Sequence, residues 1–141
     1  STLNPTTRKT YLSNNLEILL TDTVGFISDL PDDLISSFRA TLEEINESDI
    51  LIHIVDSSGP DLDEKIYSVE ETLLKTNLIK HPRIIVFNKI DLISEEEIES
   101  IKTKYSQPVI SSLKSEGITE LRKFIEDFIN SNSRKKEAVN I

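Results

Sequence analysis

Asn88-Lys89-Ile90-Asp91 leaves the apolar run Arg83-Ile84-Ile85-Val86-Phe87 and carries the sharpest chemistry in the chain. The Asp91 carboxylate can accept from two adjacent donors, the ring N1–H and the exocyclic amino group of guanine. Adenine offers no such pair on that edge, so a site built on this contact rejects it by leaving buried polar groups unpaired. Asn88 can donate to the purine's acceptors and brace neighbouring loops. The aliphatic stem of Lys89 can lie over the ring face. The tetrad also stands at a strand's carboxyl end, where open α/β sheets bind their ligands.

A second element fits the first. Leu16-Glu17-Ile18-Leu19-Leu20 reads as a strand and runs into Asp22-Thr23-Val24-Gly25-Phe26. In a GTP site an Asp at this strand end holds Mg²⁺, usually through water. A Gly three residues later lets its backbone N–H approach the γ-phosphate with no Cβ in the way. Asp-x-x-Gly alone is a weak signal because both residues punctuate turns. Followed by Asn-Lys-x-Asp, each after an apolar strand, it points to guanine-nucleotide binding.

These motifs need strands and helices to hold them. Thr6 to Leu12 alternates, and Ser13-Asn14-Asn15 suits the tight turn of an antiparallel hairpin with residues 16–20. Leu30-Pro31-Asp32-Asp33 opens a helix bearing Leu34, Phe38, Leu42 and Ile45 at helical spacing. Residues 50–55 are the most hydrophobic segment and read as a strand covered on both faces, as do residues 16–20. Asp61 with Glu64 has the form of a capping box for a helix carrying Leu62, Ile66, Val69 and Leu73. Strand 83–87 follows, and Ser94 with Glu97 caps the next helix. Pro108-Val109-Ile110 reads as a short last strand. A final helix carries Ile118, Leu121, Phe124, Ile125 and Phe128 on one face. Strands alternating with helices predict an α/β domain with a mostly parallel sheet, helices on both faces and one antiparallel hairpin strand. The polar segment from Ser131 reads as a solvated tail, so residues 1–130 form the domain and 131–141 the tail.

Composition narrows the class. The chain has 141 residues, 37% hydrophobic and 29% charged, which suits one soluble domain with a real core. A formal charge of −9 argues against sequence-independent nucleic-acid binding through a basic face. Absence of cysteine removes disulfides and thiolate metal sites, and suits a cytoplasmic protein. No apolar stretch approaches a membrane span, so no membrane association is expected. The three glycines are Gly25, Gly59 and Gly117, and no Gly-x-x-x-x-Gly-Lys-Ser/Thr phosphate loop occurs. With no methionine either, the sequence is expected to begin partway through a G domain, as an N-terminally truncated piece. In isolation it is expected to bind GTP very weakly and to be marginally stable.

Three stretches together resemble the HflX family of translation-associated GTPases: Ser1-Thr2-Leu3-Asn4-Pro5-Thr6-Thr7-Arg8, Asp22 to Pro31, and Phe38-Arg39-Ala40-Thr41-Leu42-Glu43-Glu44. The resemblance spans nearly the whole chain and implies a P-loop NTPase-type G domain with a three-layer architecture. It implies that Thr2 in the first switch (Thr2, Leu3, Asn4) and Asp22 hold Mg²⁺. Asp22, Thr23, Val24 and Gly25 form the second switch, and Asn88, Lys89, Ile90 and Asp91 read the base. The backbone of Ser111, Ser112 and Leu113 approaches the guanine oxygen. The implied ligands are GTP or GDP with Mg²⁺, and the implied partner is the large ribosomal subunit, bound by a cytoplasmic monomer. Leu113 stands where a Lys is common in related GTPases. Phe26 stands where many GTPases have a Gln that orients the attacking water, which implies slow intrinsic hydrolysis; equally, Phe26 packs the switch helix.

Two other readings compete. One is a non-hydrolysing structural or interaction domain on a G-domain scaffold. The other is a receiver-like α/β domain, which Asp22, Asp56 and Lys89 mimic superficially and the intact Asn-Lys-x-Asp opposes. His53, mid-strand among aliphatics, reads as a core residue rather than a catalyst. Glu95-Glu96-Glu97 reads as a solvated helix start rather than a metal site.

Overall fold

The structure, a computed structural model, describes residues 6–13, 15–22 and 39–140. Its strands and helices run in the order β1 (Thr6–Tyr11), β2 (Glu17–Asp22), α1 (Arg39–Glu47), β3 (Leu51–Asp56), α2 (Leu62–Lys75), β4 (Arg83–Asn88), α3 (Glu95–Tyr105) and α4 (Ile118–Asn140). The expected opening of the first helix, at residues 30–33, lies outside the described residues, as does Phe26.

β1 and β2 pair antiparallel, with Asn15 at φ 62° in the connecting turn, as the Ser-Asn-Asn run predicts. β3 and β4 pair parallel, Leu51 opposite Arg83 through to Asp56 opposite Asn88. β4 is the true centre. Its even residues Ile84 and Val86 pack with Leu12, Ile110 and Ile125 of α4. Phe87 packs on the other face with Val55 and Ile101, and Ile85 lies against the same cluster. This two-sided burial is what a continuous apolar run requires, and it confirms helices on both faces. Arg83 anchors the start of β4 to α2 through Glu70 at 2.7 Å.

Several expectations need correction. β3 and β2 are not covered on both faces: Ile54 is 61% and Leu19 63% exposed. Each strand has a single ladder neighbour among the described residues, and no ladder joins β2 to β3. Pro108-Val109-Ile110 forms no strand, only an isolated parallel bridge between Phe87 and Val109, because the chain turns at once into the Ser111–Glu116 pairing. Asp61 does not cap α2: its backbone is left-handed at φ 61°, and its side chain makes no cap hydrogen bond. The Ser94–Glu97 capping box on α3 is present in both directions. Residues 131–140 continue α4 without a break.

His53 lies on the α1–α2 side of β3, with its Nδ1 enclosed and without a hydrogen-bond partner. Burial lowers its pKa below the ordinary 6.5, against the opposing pull of Glu70. The folded state therefore binds this proton less readily than the unfolded chain, so the group is neutral to stability above pH 6.5 and costs stability below it. Replacing His53 by Leu should raise stability by about 1 kcal/mol near neutrality, since an orphaned polar atom is removed. The gain should grow as pH falls toward about 5.5. Urea midpoints of both proteins across that range check this, and parallel pH profiles would contradict it.

Candidate functional site

The carboxyl end of β4 gathers the base-reading residues. Phe87 donates its backbone N–H to Pro108 O at 2.9 Å, and Ile110 N–H returns to Phe87 O at 2.8 Å. Ile90 N–H then reaches Ile110 O at 3.2 Å. These bonds lock the segment leading into Asp91 and the segment leading into Ser111 side by side. The Ser111–Glu116 turn closes through reciprocal backbone bonds of 3.0 Å, and Gly117 at φ 78° leads into α4.

Side chains converge on this frame. Ser111 is fully buried, and its hydroxyl donates to Asp91 Oδ1 at 2.7 Å while accepting from Lys114 N–H at 3.1 Å. The hydroxyl proton is thereby committed to Asp91. One carboxylate oxygen is fixed by the protein, and the acceptor capacity of both oxygens is not exhausted. Asn88 folds back on its own turn: Oδ1 accepts from Lys89 N–H at 2.7 Å and Ser112 N–H at 3.1 Å. Its Nδ2 donates to Ser112 Oγ at 3.2 Å. Asn88 thus clamps the two loops together, the bracing role its sequence position predicts. Of the backbone N–H groups in the Ser111–Leu113 run, Ser111 is taken by Glu116 O and Ser112 by Asn88. Leu113 is 80% exposed, and its N–H has no partner among the described residues.

Lys89 is left-handed, φ 66° and ψ 33°, which costs a side chain about 1–2 kcal/mol. Its Nζ meets Asp56 Oδ2 at 3.1 Å. Asp56 ends β3 directly opposite Asn88, and its Oδ1 accepts from the Ser58 hydroxyl at 2.5 Å and the Ser58 N–H at 2.9 Å. Those Ser58 bonds, then Lys89, hold the Asp56 carboxyl far below the usual carboxylate range. Ser57 donates both N–H, at 3.0 Å, and hydroxyl, at 2.5 Å, to Asn88 O. The sequence reading missed this second support from Asp56, Ser57 and Ser58. Its available signal was a carboxylate ending a second apolar strand, the same pattern that singled out Asp22.

The structure brings together Asn88, Lys89, Ile90, Asp91, Ser111, Ser112 and Leu113. Asp22 stands exposed at the end of β2 in the hairpin. Thr2, Leu3, Asn4, Thr23, Val24 and Gly25 lie outside the described residues. No cluster of three or more His, Asp or Glu able to hold a metal occurs among the described residues. The same residues include no helix long and apolar enough to cross a membrane.

Comparison with known proteins places this geometry. The profile of the 50S ribosome-binding GTPase family matches residues 1–89. GTPase HflX of Lacrimispora saccharolytica is 43% identical over 131 residues, 93% of this chain and 31% of that protein. GTPase HflX of Caldanaerobacter subterraneus subsp. tengcongensis is 52% identical over 93 residues, 66% of this chain and 22% of that protein. The chain therefore spans a third or less of the length of these two relatives. Among solved structures, an SsGBP variant superposes with a TM-score of 0.72 at 27% identity, covering 92% of this chain and 48% of that one. Era, crystallised with MgGDPNP and a 16S ribosomal RNA segment, superposes with a TM-score of 0.59 at 25% identity, covering 88% and 44%.

Proposed function

Because this chain belongs to the 50S ribosome-binding GTPase family, in its HflX branch, we propose that the carboxyl edge of β4 reads the guanine of GTP and GDP. The observation that carries the reading is the buried Ser111 hydroxyl holding Asp91 at 2.7 Å. A carboxylate fixed in this way is aimed before the ligand arrives, which lowers the ordering cost of binding. Asp91 accepts the ring N1–H and the amino group, and the free N–H of Leu113 meets the guanine oxygen. Asn88 keeps the two loops at the right separation, and Lys89 covers one face of the ring.

Asp22 is an exposed carboxylate at a strand end, a donor type that suits a water-coordinated Mg²⁺, with Thr2 as its companion. Mg²⁺ there would neutralise phosphate charge. Thr23, Val24 and Gly25 would follow the γ-phosphate, and Leu3 and Asn4 would flank Thr2. Phe26 cannot orient a water, so hydrolysis in the absence of a partner is slow. The partner is the large ribosomal subunit, and the setting is cytoplasmic.

Competition binding tests the central claim. The full-length protein should prefer GDP to ADP by about a thousandfold or more, the range open to a site that hydrogen-bonds what the wrong ligand lacks. Equal affinities would end the reading.

A further inference from the structure

We propose that Asp56 is a positioning residue for guanine recognition: from the end of the neighbouring strand it holds Lys89 extended over the base face. The proposal rests on the base-reading assignment above. Its geometric basis is separate from Asp91. The parallel register sets Asp56 opposite Asn88, one residue before Lys89. Ser58 occupies Oδ1 with two hydrogen bonds, which leaves Oδ2 for Lys89 Nζ at 3.1 Å. The loop carrying these groups is itself pinned, by Ser57 to Asn88 O and by Lys65 Nζ to Asp56 O at 3.2 Å. The carboxylate is thus a built receptor for one ammonium group.

The consequence concerns the stem of Lys89. A lysine side chain free in solvent samples many rotamers, and covering a ring with it sacrifices that freedom on binding. Tethering Nζ to Asp56 removes part of the freedom beforehand, so the (CH₂)₄ stem waits in one arc across the mouth of the site. Lys89 begins from a left-handed backbone, and its ammonium reaches back to Asp56 at the end of β3.

The test uses the full-length protein and GDP titration in a double-mutant cycle. Asp56→Asn should weaken GDP binding about threefold to fivefold at low salt, the scale of a half-exposed ion pair. The loss should shrink as salt screens the pair. Lys89→Met keeps an apolar stem and discards the charge, so Asp56→Asn added to it should change nothing further. Ser58→Ala, which loosens the carboxylate and leaves its charge, should give a smaller loss that also vanishes in the Lys89→Met background. Wild-type affinity in Asp56→Asn, or equal losses with and without the Lys89 charge, would overturn the proposal. Both results are read in proteins that still prefer GDP to ADP. Loss of that preference in the wild type would instead strike at the base-reading assignment.

Discussion

Asp91→Asn should turn a guanine site into a xanthine site. The carboxylate meets two donors on guanine with two acceptors, whereas an amide offers one acceptor and one donor. The Ser111 hydroxyl decides which way round the amide sits. Its buried O–H has Asp91 Oδ1 as its acceptor, so the amide oxygen takes that place and keeps the donor satisfied. The amide NH₂ then stands where the second oxygen stood, facing a guanine amino group that also donates. Xanthine carries a carbonyl oxygen there and satisfies it. Losing a charge-assisted pair and confronting two donors should cost GTP about 2–4 kcal/mol, or about one and a half to three decades in affinity. Xanthosine triphosphate should gain over GTP in the same variant. Competition between the two nucleotides in the full-length protein measures this directly. An Asp91→Asn protein that keeps its preference for GTP would show that Asp91 does not read the base.

What was legible in the sequence follows from how local its causes are. The tetrad at 88–91 could be read because the strand before it and the chemistry within it are contiguous. The Ser94–Glu97 box held for the same reason, since both partners lie within one turn. Asp61 and Glu64 show the same spacing, but the left-handed backbone at Asp61 removes the geometry that a capping side chain needs. The Asp56–Lys89 pair lies beyond any local rule. Thirty-two residues, through α2 and all of β4, separate the two, and only the parallel register of β3 on β4 brings them together. The exposure of Ile54 and Leu19 is similarly a matter of which strands find neighbours rather than of their own composition. The segment 131–140 is polar and helical at once. Its polarity suggests a tail, yet it contains neither Gly nor Pro, and Arg, Lys, Glu and Ala there continue a helix readily.

Gly117→Ala should be among the most damaging single changes in the molecule, although position 117 touches no ligand in the proposed site. At φ 78° the residue sits where a side chain costs about 1–2 kcal/mol by backbone sterics alone. Space is the larger obstacle. A Cβ would lie 2.4 Å from the Val109 carbonyl oxygen and 3.2 Å from Ile110 Cγ2, and the first of these is backbone that cannot rotate away. Overpacking of this kind adds about 1–3 kcal/mol, for a total near 2–5. The strain falls on Val109 and Ile110, which bridge to Phe87 and lead straight into Ser111. Any retreat of that segment carries the Ser111 hydroxyl away from Asp91, so guanine binding should fall together with stability. Gly59 supplies the contrast. A Cβ there meets only the far end of the Lys65 side chain at 3.1 Å, and Gly59→Ala should cost less than about 1 kcal/mol. Urea midpoints and GDP titrations of the two variants separate the cases. A Gly117→Ala protein with the wild-type midpoint and affinity would mean that the turn before α4 does not hold Ser111 in register with Asp91.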